Sequence, residues 1–392
     1  MNDRYQEQRP PAPTPLRDEQ AAVRVDRALT ELLHGRAVCL VDSVEGPPAV
    51  AAPCTLVAAV EVLSAARLAW LSAWGRPQLL LTAERASVLG LSSTALPGTA
   101  VLVSLPDGVP LAVWLELAAV MAAPGPSTPA AALSVARLSS TQQRVVDSAL
   151  ALAKLARLTP ALLVVELPVP DAARLSAAQL LSVSSADVPF APGRGERSLR
   201  RVSGAQVAIE AHDDCEVVLF REDAGGAEHL AVIVGQPDFS QPVPLRLHSA
   251  CLTGDLLGSL RCDCGDQLRR AITQLAAHGG VLLYLQQEGR SIGLANKLRA
   301  YRLQDEGQDT IDADRTLGFM ADERDYTPAL AMLKSLGITQ VRLLTNNPKK
   351  IAAMEAGGIK VVERLALYGP VTPHNARYIE TKQQRAGHLK DD

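Results

Sequence analysis

Residues 281–307 read VLLYLQQEGRSIGLANKLRAYRLQDEG. Val281–Leu285 is an unbroken apolar run of strand length, Leu294–Glu306 has helical spacing, and Gly307 stands where a C-capping residue belongs. The rhythm repeats downstream. Thr327–Ser335 reads as a helix, Val341–Leu344 as a strand, Pro348–Ala356 as a helix and Ile359–Val362 as a strand. Such alternation predicts βαβ units, with ligand-binding loops at the carboxyl ends of the strands.

Working outward, Cys215–Phe220, Leu230–Val234 and a run to Leu247 have the look of hairpin-connected strands. Together with the βαβ part they predict a mixed-sheet α/β domain over 205–392. Residues 190–204 hold Pro192, Gly193, Gly195, Gly204 and several arginines with almost nothing apolar, as a linker would. Upstream, Ala37–Val41, Gln78–Leu81, Ala100–Val103 and Leu162–Val165 read as strands. Val25–Leu33, Ser140–Leu155 and Asp171–Leu181 read as helices. The expectation is a second α/β domain over 21–189, behind a polar tail of residues 1–20 that carries Pro10, Pro11, Pro13 and Pro15.

The 392 residues are 47% apolar and 21% charged with a net charge of −3, so no global basic field advertises nucleic acid or an anionic membrane. The uncharged stretches Ala86–Pro106 and Leu117–Ala136 are broken by proline and are poor membrane spans. A cytoplasmic protein without a membrane or nucleic-acid partner is expected. Six cysteines in a chain this long do not make a disulfide scaffold. All three tryptophans (Trp70, Trp74, Trp114) lie in the first third, whereas only one lysine, Lys154, precedes Lys297. Chemistry is therefore expected downstream.

Four constellations stand there. His248-Ser249-Ala250-Cys251, followed after ten residues by Cys262-Asp263-Cys264, offers three clustered thiols. Zinc takes thiolates tetrahedrally, and three protein ligands without an obvious fourth are the pattern of a catalytic site with an open position. A closed Cys3His site using His248 is the alternative. Gln286-Gln287-Glu288-Gly289-Arg290-Ser291-Ile292-Gly293 lies between a strand and a helix. Its glycines let the backbone approach a ligand, Arg290 suits phosphate, and Glu288 could accept two hydrogen bonds from a guanine edge. Taken alone it is equally a plain turn. Thr345-Asn346-Asn347-Pro348-Lys349-Lys350 places Asn347 as N-cap and Pro348 at the first helical position. Ala321-Asp322-Glu323-Arg324-Asp325-Tyr326 is by itself an ordinary charged surface run.

In this order the motifs resemble the GTP cyclohydrolase II family from about Pro244 to Leu389. Leu252-Thr253-Gly254-Asp255, Ser259-Leu260-Arg261-Cys262-Asp263-Cys264-Gly265 and Leu317-Gly318-Phe319 also carry the likeness. The resemblance implies the first committed step of riboflavin synthesis. GTP loses C8 as formate and its outer phosphates as pyrophosphate, giving 2,5-diamino-6-(5-phosphoribosylamino)pyrimidin-4(3H)-one. It implies zinc on Cys251, Cys262 and Cys264 whose hydroxide attacks C8, and magnesium on the triphosphate. It implies a nucleotide pocket of Arg246, Leu247, His248, Ser249, Ala250, Gln267, Glu288, Gly289, Arg290, Thr310, Thr345 and Lys350. Tyr301 would assist at the ring, Asp322 would act as base and Arg324 as nucleophile on the α-phosphate. A homodimer is the family precedent. Since arginine is scarcely ever deprotonated, Arg324 is equally readable as a cationic clamp on the leaving group. The family usually has Glu where this chain has Ala250. A paralogue with an altered product, or a GTP and zinc sensor without turnover, are the competing readings.

Residues 21–190 faintly resemble 3,4-dihydroxy-2-butanone 4-phosphate synthase, through Leu81-Thr82-Ala83-Glu84-Arg85-Ala86 and the stretch from Leu152 to Ala161. The acidic loop and the His-Thr-Glu that this family uses are missing. Val41-Asp42-Ser43-Val44-Glu45-Gly46-Pro47-Pro48 stands in place of the loop, and a domain without synthase activity is expected.

Overall fold

The computed structural model describes residues 17–42, 53–91, 96–121, 132–168, 171–190, 199–222, 226–385 and 387–389. The first domain is built on seven strands: β1 (Val38–Val41), β2 (Cys54–Ala59), β3 (Gln78–Thr82), β4 (Ala100–Ser104), β5 (Ser134–Val135), β6 (Leu162–Leu167) and β7 (Leu181–Ser184). Their order is β5-β4-β3-β6-β2-β1-β7, antiparallel throughout except for the parallel β1–β7 pair. Alternate side chains reach opposite faces. Leu80 packs with Val25 and Leu32 of the helix Arg17–Leu33 and with Val146 and Ala149 of the helix Ser140–Leu155. Leu79 and Leu81 pack with Leu71, Trp114 and Leu117 on the other face. Burial of both faces is why these strands read as continuous apolar runs. Trp70 and Trp74 sit edge to face at this second layer, 5.5 Å between centroids.

The second sheet holds β8 (Leu199–Gln206), β9 (Cys215–Glu222), β10 (Glu228–Val234), β11 (Val243–Ser249), β12 (Gly280–Leu285), β13 (Gln340–Leu344) and β14 (Lys360–Leu365). The order is β14-β13-β11-β12-β10-β9-β8. The first four are parallel, and β10, β9 and β8 add antiparallel. From β11 the chain steps to β12 on one side and then crosses to β13 on the other. That reversal opens a crevice beyond the carboxyl ends of these three strands, where open α/β sheets bind ligands.

Three expectations need correction. The first helix begins at Arg17, so residues 17–20 belong to it rather than to a tail; residues 1–16 lie outside the described residues. No helix runs from Asp171 to Leu181. Asp171 caps a short one, Ala172–Ala177, the left-handed Gln179 (φ 52°) turns the chain, and Leu181 enters β7 beside β1. Residues 199–204 of the expected linker pair with β9 as part of β8, while 191–198 lie outside the described residues. Among the described residues no helix is long and apolar enough to cross a membrane.

Candidate active site

Ser249 at the end of β11 leads directly into Cys251 and then a wide turn, Leu252–Leu256. Cys262 and Cys264 arrive from the other side, where the helix Cys264–His278 begins. The three ligand atoms lie within 4.8 Å of one another, with 3.7 Å between the Cys251 and Cys262 sulfurs. A tetrahedral zinc with bonds of about 2.3 Å requires sulfurs about 3.8 Å apart, so the cluster fits that ion. Gly254 makes the space: a Cβ there would stand 3.0 Å from the sulfurs of both Cys251 and Cys262. Hydrogen bonds from Cys262 and Cys264, helped by Lys297, hold the Cys251 thiol far below its ordinary value. The hydrogen bond to Cys251 pushes Cys262 up to about 11, and those to Cys251 and Cys262 raise Cys264 well above its ordinary value. One negative charge is thus shared among three sulfurs, and a divalent cation allows all three to ionise.

Around the sulfurs stands a tight polar frame. Asp255 accepts from the Cys251 amide (2.9 Å), the Tyr284 hydroxyl (3.0 Å) and His248 Nε2 (3.1 Å). Burial depresses His248 despite Asp255, and its Nδ1 is buried without a partner. His248 is therefore committed to Asp255, not to the sulfurs. Lys297 Nζ donates to Glu288 Oε1 (2.6 Å), Thr253 Oγ1 (2.9 Å) and Cys251 Sγ (3.1 Å). Burial pulls its ammonium down, but Glu288 and Cys251 outweigh it and hold it up. Glu288 Oε2 accepts from the Leu252 amide at 2.6 Å. Tyr301, on the same helix as Lys297, reaches Thr253 Oγ1 at 3.2 Å.

Across the cavity the charge is overwhelmingly positive. Arg324 forks onto Asp322, Nε to Oδ1 at 2.8 Å and Nη2 to Oδ2 at 2.7 Å. Burial works against the Arg324 charge, yet Asp322 more than compensates and raises its pKa. Arg246 donates to the Leu344 carbonyl and to Gln267, leaving Nε buried and unpartnered; burial brings it down to about 10. Lys350 donates to the Leu247 carbonyl at 2.7 Å, and burial together with Arg246, Arg324 and Lys382 lowers it well below the usual lysine range. Arg290, in a left-handed conformation (φ 60°), reaches Asp314 and the Ala321 carbonyl. Such a concentration of cations, two with buried polar atoms unsatisfied or depressed, is built for a polyanion.

Every residue anticipated for the pocket lines this one cavity except Leu247, which packs in the core of the second sheet and contributes only its carbonyl. Thr310 and Thr345 are on its wall, and Thr345 Oγ1 accepts from the Asn347 amide. Sequence reasoning missed Lys297, Asp255, Asp314 and the C-terminal wall. The helix Ala376–Gln384 and the chain beyond it bring Tyr378, Lys382, Arg385 and His388 to the cavity. Lys382 pairs with Asp263 and Arg385 with Asp309 and Asp312. Burial and then the surrounding cations press His388 down to about 3. The helix Ala376–Gln384 is amphipathic, but nothing local says that its face closes a cavity built by strands far upstream.

A family model described as GTP cyclohydrolase II matches residues 200–366. The GTP cyclohydrolase-2 of Azospirillum brasilense is 44% identical over 387 residues, 97% of each chain. That of Xylella fastidiosa (strain 9a5c) is 38% identical over 95% of this chain and 88% of its own length. That of Escherichia coli O9:H4 (strain HS) is 51% identical over 192 residues, 97% of its length but 49% of this chain. A solved two-domain 3,4-dihydroxy-2-butanone 4-phosphate synthase from A. baumannii aligns with 82% of this chain at 17% identity and a TM-score of 0.30, too loosely to bear on the fold.

Proposed function

Since the chain belongs to the GTP cyclohydrolase II family, hydrolases of riboflavin biosynthesis, we propose that it converts GTP to 2,5-diamino-6-(5-phosphoribosylamino)pyrimidin-4(3H)-one, formate and pyrophosphate. The observation that carries this is the opening of the three-thiol cluster and the Arg324–Asp322 fork into one cavity. Cys251, Cys262 and Cys264 would hold zinc, with magnesium accompanying the triphosphate. Bound zinc supplies a Lewis acid that brings a water's pKa to about 7. Asp255 fixes the Cys251 backbone and the His248 ring, so this edge of the site does not reorganise during reaction. Glu288, held by Lys297 and the Leu252 and Gly289 amides, retains one lone pair, on Oε2, for the guanine edge. Arg246, Arg290, Arg324 and Lys350 meet the phosphates.

The fork favours the clamp role of Arg324. Removing a proton from a guanidinium whose charge is stabilised by a bidentate carboxylate is harder than from a free one, whereas a fixed cation facing the leaving pyrophosphate needs no proton transfer. The first domain we read as lacking synthase activity. Its sole histidine is His34, tied to the Thr30 carbonyl on an exposed helix end, and Asp42 is paired with Arg144. Residues 43–48 of the loop replacing the acidic motif lie outside the described residues. A cytoplasmic homodimer completes the reading, following the family.

The test is formate and pyrophosphate release from GTP by the purified chain, with and without a zinc chelator, alongside ribulose 5-phosphate as a synthase substrate. Turnover of GTP that the chelator abolishes and zinc restores is expected. Failure to release formate with both metals supplied would sink the reading, and dihydroxybutanone phosphate formed from ribulose 5-phosphate would refute the inactive first domain.

A further inference from the structure

The two domains meet through a set of polar contacts with a common placement. Lys154 of the first domain pairs with Glu323 at 2.7 Å, and Glu323 stands between Asp322 and Arg324. Arg157 Nη2 donates to the Gln286 carbonyl at 3.1 Å, two residues before Glu288. The Thr159 hydroxyl donates to Asn296 Oδ1 at 3.0 Å, and Asn296 Nδ2 donates to the Arg157 carbonyl at 3.0 Å; Asn296 precedes Lys297. Arg299, two residues before Tyr301 on the same helix, donates to Thr159 and pairs with Glu61 at 2.9 Å. Each docking residue is thus a close chain neighbour of a group facing the cavity.

Most of these contacts are withdrawn from water, the exposed Arg157 side chain excepted. Thr159 and Asn296 are 1% and 0% exposed, and Arg299 Nη1 bridges their side-chain oxygens at 3.2 Å and 2.7 Å, so the three form one largely buried network across the interface. The backbone approach is equally close: a Cβ on Gly293 would stand 3.0 Å from the Arg157 Cβ, at a glycine whose φ of 85° already excludes other residues. Within the second domain Arg290 also holds the Ala321 carbonyl and Asn296 the Ile292 carbonyl, and the first domain adds to that support. Glu323 has the Met320 amide as its other partner, a neighbour in the same loop.

We infer that the first domain positions the reaction loops of the second. Lys154 sets the segment carrying Asp322 and Arg324, while Arg157 and Thr159 set the loop and helix carrying Glu288 and Lys297. These are positioning residues, touching no substrate. The chemistry resides in the second domain, and the first holds two of its connecting segments at the geometry the reaction needs. A displacement near 1 Å in such a constellation costs up to about a hundredfold in rate.

This rests on the GTP hydrolysis proposed above, and full-length variants separate the two. Lys154→Met and Thr159→Val should each lower kcat about tenfold at 25 °C, with KM for GTP changed less than about threefold and zinc content unaltered. Lys154→Arg should recover kcat to within about twofold of the parent. Arg144→Ala, which breaks the exposed pair with Asp42 inside the first domain, should leave both constants alone. Should Lys154→Met not fold, Thr159→Val carries the test, since it keeps the side-chain volume. Unchanged kcat with a lowered melting temperature would reduce the interface to docking and overturn the inference. So would an equal loss in Arg144→Ala, or failure of Lys154→Arg to recover. Parent protein that releases no formate removes the functional reading and the inference with it.

Discussion

Substituting Gly254 by alanine is the sharpest probe of the thiol cluster. Gly254 has no left-handed φ, so alanine fits its backbone, and within a helical turn alanine is favoured over glycine by about 1 kcal/mol. The added methyl, however, would lie 3.0 Å from the sulfurs of Cys251 and Cys262 and 3.1 Å from the Cys264 Cβ. Ordinary contact between such atoms is about 3.5–4.0 Å, so each must yield by at least a few tenths of an ångström. Zinc ligation tolerates about 0.2 Å. Overpacking of this kind costs about 1–3 kcal/mol, and here it falls on the metal-bound geometry rather than on the fold. The expected result is zinc affinity weaker by about five- to 150-fold in competition with a chromophoric chelator, with formate release falling in step and recovering at high zinc. Melting of the metal-free protein should be unchanged or slightly higher. If Gly254→Ala binds zinc as the parent does and turns over GTP normally, the cluster is not the metal site.

Two further perturbations address the cationic side. Arg324→Lys keeps a charge but loses the fork onto Asp322, so pyrophosphate release should fall by at least about a hundredfold, followed by coupled phosphate assay. Single-turnover mass spectrometry of the parent should show no phosphoramidate on Arg324; trapping one would restore the nucleophile role. Asp314 tests linkage: burial pushes its carboxyl up to about 7 against the pull of Arg290. Because its folded value lies above its unfolded 3.8, its contribution is complete below that value and is lost as pH rises through about 7. Asp314→Asn should therefore flatten the fall in second-domain stability between pH 5 and pH 8 by roughly 3 kcal/mol, read from thermal melts; identical slopes would show that Asp314 does not titrate there.

Much of this was legible in the chain because local and global signals agreed. The helices Ser140–Leu155, Thr327–Ser335 and Pro348–Ala356 carry apolar spacing, the last with an N-cap signal at Asn347, whose side chain does accept from the first helical turn. The three cysteines were legible as a cluster because a Cys-x-Cys pair has little structural reason to exist otherwise. What escaped lacked periodicity or depended on the third dimension. Leu181–Ser184 is too short to distinguish from the end of a helix until β1 offers it a parallel partner. Lys297 looks like a solvated helix lysine until the turn of Thr253 and the loop of Glu288 close around it. Asp314 becomes unusual only through burial, which no single sequence window reports.

The confinement of Trp70, Trp74 and Trp114 to the first domain gives the molecule two independent spectroscopic voices. Trp114 is buried with its indole N–H on the Val109 carbonyl, and Trp74 lies beneath the Arg174 guanidinium, so tryptophan emission reports unfolding of that domain. The second domain has tyrosines but no tryptophan, and answers instead through thiol absorbance and metal release. Denaturation followed at both signals therefore measures directly how tightly the two halves are coupled: coincident curves mean one cooperative unit, and separated curves give the stability of each half in turn.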